Sequence, residues 1–270
     1  MARNGILDGI PAALWRMVAL ARRRLLMLDY DGTLAPLRNE RLEARPQPRS
    51  LELVRRIADS GRTELAIVSG RQLPEVEALL GPLRATFVGE HGWEWRAPGG
   101  EWIRQPLEDA VVQALDEAER IARQAGWGAL IERKRSAVVL QTPSLPAPQA
   151  LEIVERCASA WGGLIADSKL VLDRPRGGLE LRASGVNKGT VVRWLMPHAG
   201  PGALGVFVGD DVTDEDAFEA VREWGFGVRV GDPAASSIAQ GRLPSSDAVP
   251  EFLAEWARVT AAPPAPERSD

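Results

Sequence analysis

Asp29 and Asp31 stand two residues apart directly after the apolar run Leu25-Leu26-Met27-Leu28, and Gly32 follows them. Two carboxylates at the end of one buried run repel each other unless a cation, a shared proton or backbone N–H donors compensate. The glycine lets the chain turn sharply and lets a ligand come close. The pattern recurs twice: Leu65-Ala66-Ile67-Val68 stops at Ser69-Gly70-Arg71, and Leu204 to Val208 stops at Gly209-Asp210-Asp211, with Asp214 one turn later. Lys188 opens a helical segment just before the last of these runs. Carboxylate oxygens drawn from separate loops suit Mg²⁺, which prefers oxygen ligands. Mg²⁺, a lysine, a hydroxyl and helix-start N–H groups together are what a phosphate dianion requires. An aspartate in such a place can act as a nucleophile, and a second carboxylic acid can protonate the leaving oxygen and later deprotonate water. Asp29, closest to the strand, is read as the nucleophile, and Asp31, beyond the turn, as the acid/base.

The elements that must position these groups follow from the hydrophobic pattern. Helices are expected over Pro11 to Arg23, from Ser50 as N-cap to Gly61, over Pro74 to Leu80, from Leu107 to Gly126 and over about Pro148 to Trp161. Further helices are read at Lys188 to Leu195, Asp214 to Trp224 with Thr213 as cap, and Val249 to Val259. Between them lie short apolar strands, Thr86 to Val88 among them, and Trp93 to Ile103 alternates like a hairpin around Pro98-Gly99-Gly100. Strands alternating with helices imply an α/β fold with a doubly wound, mostly parallel sheet, whose ligands bind at the carboxyl ends of the strands. The block 106–184 departs from that rhythm. Strands are expected there at Ala129 to Glu132, Ala137 to Gln141, Gly163 to Ala166, Leu170 to Leu172 and Leu179 to Arg182. It reads as an inserted α+β module, leaving 1–105 and 185–260 as the core, Phe226 to Val230 as the last core strand and 261–270 as a Pro-rich tail.

Composition narrows the functional classes. The chain has 270 residues, 45% hydrophobic and 26% charged, with a net charge of −4, which is the profile of a globular protein with no basic face for nucleic acid or a membrane surface. One cysteine, Cys157, rules out an internal disulfide framework, and two histidines leave little for a zinc site. No secretory pattern or membrane-length apolar run is read, so a reducing cytoplasm is expected.

Asp29-x-Asp31-Gly32-Thr33-Leu34, Ser69-Gly70-Arg71, Lys188-Gly189 and Gly209-Asp210-Asp211-x-Thr213-Asp214-Glu215 resemble, in order, the four motifs of the haloacid dehalogenase superfamily, and more narrowly its trehalose-6-phosphate phosphatases. The resemblance covers roughly 22–258. It implies a haloacid dehalogenase-like core with an inserted cap, and Mg²⁺-dependent hydrolysis of a small sugar phosphate through an aspartyl-phosphate. It implies Asp29 as nucleophile and metal ligand, Asp31 as acid/base and backbone metal ligand, Asp210 as metal ligand supported by Asp211 and Asp214, and Ser69, Gly70 and Lys188 around the phosphate. In the cap, Glu132 and Lys134 resemble the family's Glu-x-Lys segment and Glu180 its Glu-x-Arg/Lys segment. With Arg71, these are the expected substrate contacts. One departure stands out: where the family continues its cap strand into His-Tyr-Arg, this chain has Gln141-Thr142-Pro143. The alternatives are therefore the same chemistry on another glycosyl or cyclitol phosphate, a phosphomutase, or a catalytically silent binding module. The four kept charges, Asp29, Asp31, Lys188 and Asp210, speak against the silent module.

Plainer roles compete at several positions. A charge run such as Glu132 to Arg135 also suits a solvated hairpin. His91 suits a structural role or the sugar site, and Trp93, Trp95 and Trp102 suit packing or a stacking platform. Cys157 reads as a core residue.

Overall fold

The structure is a computed structural model, and it describes residues 5–38, 43–165, 169–175 and 177–261. Its main sheet is built on β1 (Arg24–Leu28), β2 (Glu64–Val68), β3 (Thr86–Gly89), β4 (Glu94–Arg96), β5 (Ile103–Arg104), β10 (Leu204–Gly209), β11 (Gly225–Val230) and β12 (Gly241–Leu243), in the order β12-β11-β10-β1-β2-β3-β4-β5. From β12 to β3 the pairing is parallel, and β4 and β5 add an antiparallel edge. β1 sits centrally because its residues are apolar on both faces. Leu26 and Leu28 pack among α1 (Ala12–Leu20), α2 (Pro48–Asp59), α3 (Leu73–Leu80) and α8 (Val249–Ala261). Leu25 and Met27 pack toward α6 (Lys188–Ala199) and α7 (Glu215–Val221). Helices on both faces explain why the strand reads as an unbroken apolar run.

The chain runs outward from β1 through β2 and β3 on one side and returns to β10, β11 and β12 on the other, so the strand order reverses between β1 and β10. At that switch point the loops after neighbouring strands diverge and leave a crevice. Leu28 pairs with Val208 on one side and Ile67 on the other, so Asp29, Ser69 and Gly209-Asp210 all emerge at one edge.

A second sheet, β6 (Ile131–Arg133), β7 (Ala137–Gln141), β9 (Gly178–Ala183) and β8 (Leu170–Asp173) in that order, is antiparallel. One face packs on α4 (Asp109–Gln124) and α5 (Ala147–Ile165), burying Val138, Leu140, Leu179, Leu181, Cys157 and Trp161. The period of two turns Val139, Gln141 and Glu180 to the other face, toward the main sheet. Burial pushes the Cys157 thiol up to about 12, in keeping with a core residue.

Several boundaries differ from the sequence reading. Gly163 to Ile165 continue α5 rather than starting a strand, because the apolar Leu164-Ile165 pair packs against the same cluster as Trp161; Ala166 lies outside the described residues. Ser50 is buried inside α2, which begins at Pro48 with Gln47 as its cap, since proline suits the first helical turn. Asp211, not Thr213, caps the turn before α7, and its carboxylate accepts the Val212 N–H at 2.7 Å. β12 is a further core strand beyond β11, and Ala261 ends α8; residues 262–270 lie outside the described residues.

Trp161 is fully buried, and its Nε1 donates to the Ala118 carbonyl at 3.0 Å, tying α5 to α4. Trp161→Ala opens a large cavity, and the expected loss is about 4 kcal/mol of unfolding free energy. A denaturant titration with urea checks it through a lowered midpoint.

Candidate functional site

Lys188 is the first residue of α6, a position where the helix dipole disfavours a cation. Two carboxylates account for it. Its Nζ donates to Asp29 Oδ1 and Asp214 Oδ1, each at 2.7 Å, and all three groups are buried. The helix start is held by a capping box between Asn187 and Thr190. The other Asp214 oxygen accepts the Asp210 and Asp211 N–H groups, each at 2.9 Å, which shapes the loop after β10.

Asp29, Asp210 and Asp214 each bring a carboxylate oxygen within 4.8 Å of the others. One lysine cannot neutralise three buried carboxylates. Burial, reinforced by Asp214 and Asp31, pushes Asp29 up to about 8 even though Lys188 works the other way. Asp210 is likewise held well above the carboxylate range by burial and by Asp29, Asp214 and Asp211. Burial opposes the Lys188 charge, but Asp214 and Asp29 outweigh it and raise its pKa. Asp210 Oδ1 is buried without a hydrogen-bond partner, which leaves it open to a water or a cation. Hard oxygen donors with excess negative charge fit Mg²⁺. Because both Asp214 oxygens are already engaged, Asp29 and Asp210 are the side chains able to hold the ion. Gly32, at φ 77°, is required here twice over: its backbone is left-handed, and a Cβ would lie 2.1 Å from Asp210 Oδ2.

Asp31 is turned aside. Arg71 grips it with two parallel bonds, Nε to Oδ2 at 2.6 Å and Nη2 to Oδ1 at 2.7 Å. Arg71 is itself buried, paired also with Glu75 and stacked over Tyr30 at 5.2 Å. Ser69 is buried, and its hydroxyl accepts the Arg71 N–H at 3.1 Å.

The second sheet closes over this edge. A cleft of about 200 Å³ is lined by Asp29, Asp31, Gly70, Arg71, Lys188, Asp210 and Asp211 from below, and by Lys134, Val139, Gln141 and Glu180 from above. Lys134 Nζ donates to the Gly70 carbonyl and to Glu180 Oε1, both at 2.9 Å. His91 Nε2 lies 3.1 Å from Glu180 Oε2, so His91 belongs to the cleft. Burial works to raise the Glu180 pKa, but Lys134 and His91 overcome it and hold that carboxyl well below its ordinary range.

The predicted residues thus divide. Asp29, Asp31, Gly70, Arg71, Lys134, Glu180, Lys188, Asp210 and Asp211 line the cleft; Ser69 and Asp214 stand just behind it. Glu132 is not among the lining residues; its Oε2 accepts the Gln141 Nε2 at 2.5 Å, and Gln141 is the one that faces the cleft. None of the three hairpin tryptophans lines it: Trp93 is buried under the second sheet, Trp95 packs on Trp194 at 4.2 Å, and Trp102 stacks with Arg104. The sequence reading passed over Glu90, although a charged pair bracketed as Gly89-Glu90-His91-Gly92 carried a signal. Glu90 and His91 both adopt left-handed backbone, with φ 46° and 58°, a conformation that costs about 1 kcal/mol or more per non-glycine residue.

An aspartate at the end of a central parallel strand, a lysine and two acidic loops at the switch point, and a second sheet above them give the chain the fold of a haloacid dehalogenase-like hydrolase from B. subtilis, with a TM-score of 0.60 at 16% identity. The family model for trehalose-phosphatase matches residues 27–241, and the chain belongs to that family. It is 34% identical over 238 residues to a probable trehalose-phosphate phosphatase of Sinorhizobium fredii, covering 86% of this chain and 87% of that protein. It is 33% identical over 215 residues to a bifunctional trehalose-6-phosphate synthase/phosphatase of Thermoproteus tenax, covering 79% of this chain but only 29% of that longer protein. The C-terminal domain of the C. albicans trehalose-6-phosphate phosphatase has the same fold, with a TM-score of 0.82 at 22% identity over 91% of this chain and 96% of that one.

Mg²⁺ titrated into the purified chain is expected to raise the thermal midpoint by mass action. In Asp210→Asn the increment disappears while the metal-free midpoint does not fall, because a repelled carboxylate has been removed; scanning fluorimetry reads both. Glu180→Gln strips Lys134 of its buried partner, at an expected cost of about 3 kcal/mol near neutral pH. A carboxyl with a depressed folded-state pKa contributes stability above its unfolded value near 4.5, and that contribution fades as pH falls through the lower folded value. The difference between wild type and Glu180→Gln, followed by thermal unfolding from pH 7 to pH 3, is therefore largest at neutral pH and shrinks below about 4.5.

Proposed function

We propose that this chain hydrolyses trehalose 6-phosphate to trehalose and phosphate, with Mg²⁺ as cofactor. The observation that carries the reading is the buried Asp29–Lys188–Asp214 triad beside the unpartnered Asp210 oxygen, at the floor of a cleft that Lys134, Gln141 and Glu180 line from the other side. Family membership and the relatives' names supply the sugar.

In this reading 1–105 and 185–260 form the catalytic core and 106–184 the cap. Asp29 attacks phosphorus, and the bond between phosphorus and the sugar oxygen breaks. Asp31, released from Arg71, gives that oxygen its proton. Asp31 then takes a proton from water as the water attacks the aspartyl-phosphate, and phosphate leaves with Asp29 restored. Lys188 and the Ser69-Gly70 segment hold the phosphoryl oxygens. Asp29, the Asp31 carbonyl and Asp210 would hold Mg²⁺, which when bound would supply the charge neutralisation between an anionic carboxylate and an anionic phosphate. Asp211 and Asp214 keep the metal loop in shape. Arg71, Lys134 and Glu180 face the substrate, and Glu132 acts on it through Gln141. The cap excludes water while the ester is cleaved. The described residues contain no helix long and apolar enough to cross a membrane, and a chain with one buried thiol suits a reducing cytoplasm.

A phosphate-release panel tests this. Trehalose 6-phosphate with Mg²⁺ is expected to give the fastest release, removal of Mg²⁺ by chelation to abolish it, and Asp29→Asn to lower kcat by at least about 10⁴-fold with the fold intact by circular dichroism. Faster release from sucrose 6-phosphate or a cyclitol phosphate transfers the same chemistry to another substrate, and Gln141 is then the first residue to exchange.

A further inference from the structure

Glu90 has no place in the reaction just described, yet it is 2% exposed and carries a carboxylate. Its partners all come from the cap. Glu90 Oε2 accepts the Ser136 N–H at 2.7 Å and the Ser136 hydroxyl, and Oε1 accepts the Arg135 N–H at 3.3 Å. Arg135 and Ser136 are the two central residues of the β6–β7 turn, which Lys134 N and the Ala137 carbonyl close at 2.9 Å. Two successive N–H groups of a tight turn converging on one anion form a small anion-binding nest. Here the anion belongs to the other domain.

The main chain of Glu90 is fixed at the same time. Its N–H donates to the Arg71 carbonyl at 2.8 Å, and the His91 N–H donates to the Ser69 carbonyl at 3.0 Å. The Ser69 to Arg71 segment therefore holds Glu90-His91 in its left-handed conformation, and that conformation lets one dipeptide reach two cap elements. Glu90 takes the β6–β7 turn, and His91 takes Glu180 on β9. The residue immediately before the nest, Lys134, returns across the boundary to the carbonyl of Gly70. The contacts close into a ring that passes through the phosphate segment, Glu90, the turn and Lys134.

We propose that Glu90 is a positioning residue that docks the cap: its carboxylate seats the Arg135–Ser136 turn and so fixes Lys134 against Gly70 and Glu180 in the cleft. The kinetic side of this rests on the phosphatase reading above, while the docking itself does not. Without the seat, the turn loses its partner anion and Lys134 loses its register. Asp29, Lys188 and Asp210, all in the core, keep theirs. Glu90→Gln keeps one acceptor oxygen of the right reach, so it restores part of what Glu90→Ala removes.

The test uses the full chain. Amide hydrogen exchange in Glu90→Ala is expected to rise about tenfold or more in the segment 134–137, with β1 and β10 unchanged. Ser136→Ala, a milder change on the cap side, is expected to raise it by a smaller factor and keeps the question open to disproof should Glu90→Ala fail to fold. Unchanged exchange at 134–137 in either folded variant overturns the proposal, whatever the activity. In phosphate release, Glu90→Ala is expected to lower kcat about tenfold or more with a smaller change in KM, and Glu90→Gln to recover part of it. The Mg²⁺-induced thermal shift stays at its wild-type size, because the metal residues lie in the core. A lost Mg²⁺ shift, or a Glu90→Gln no better than Glu90→Ala in both exchange and kcat, overturns the positioning role. If wild type releases no phosphate from any ester in the panel, the phosphatase reading fails while the exchange result still decides the docking.

Discussion

The Lys188 ammonium between Asp29 and Asp214 is the interaction on which the site depends. A buried charge is costly to leave alone and tolerable when paired and hydrogen-bonded. Lys188 has both partners, and one of them, Asp214, spends its second oxygen on the backbone of the Asp210 loop. The start of α6, the end of β1 and the loop after β10 are thereby locked to one another. The remaining imbalance, one cation among three carboxylates, leaves an excess of negative charge that a further cation would relieve.

A second set of charges organises the cap. Lys134, Glu180 and His91 form a buried cluster at the boundary, and Glu90 holds the turn that carries Lys134. The first cluster carries more carboxylates than its one lysine can match, whereas in the second Lys134 and His91 match Glu180. The contrast with the apolar packing of Leu25, Met27, Phe207 and Phe218 on the same sheet is plain. The sheet supplies stability without direction, and the charged groups supply direction at an electrostatic cost.

Much of the core was legible in the sequence because its periodicities are strong. β1, β2 and β10 read as apolar runs since both faces of the sheet are covered, and α4 reads as a helix since only one face is buried. The reading failed where two conformations compete locally. Leu164-Ile165 looks like a strand, yet it extends α5 because the cluster around Trp161 rewards burial on that side. β12 is three residues long and has too little pattern to announce itself. Ser50 resembles a helix cap, but Pro48 had already set the start of α2.

By itself the sequence determined the chemistry of the strand ends, since carboxylates placed after apolar runs can only emerge at the rim of a parallel sheet, and the four ordered motifs fix which rim. Tertiary structure alone decided how those side chains are shared out. Asp31 rests on Arg71, Asp214 is consumed by Lys188 and two backbone amides, and Glu132 is held by Gln141, which takes its place in the cleft. Such partnerships join residues up to 40 positions apart, and Lys188 reaches Asp29 across 159. Their outcome depends on distances and burial that spacing along the chain does not encode. Glu90 is the clearest case: in the sequence it is one charged residue among many, and in the fold its carboxylate accepts the N–H groups of the β6–β7 turn.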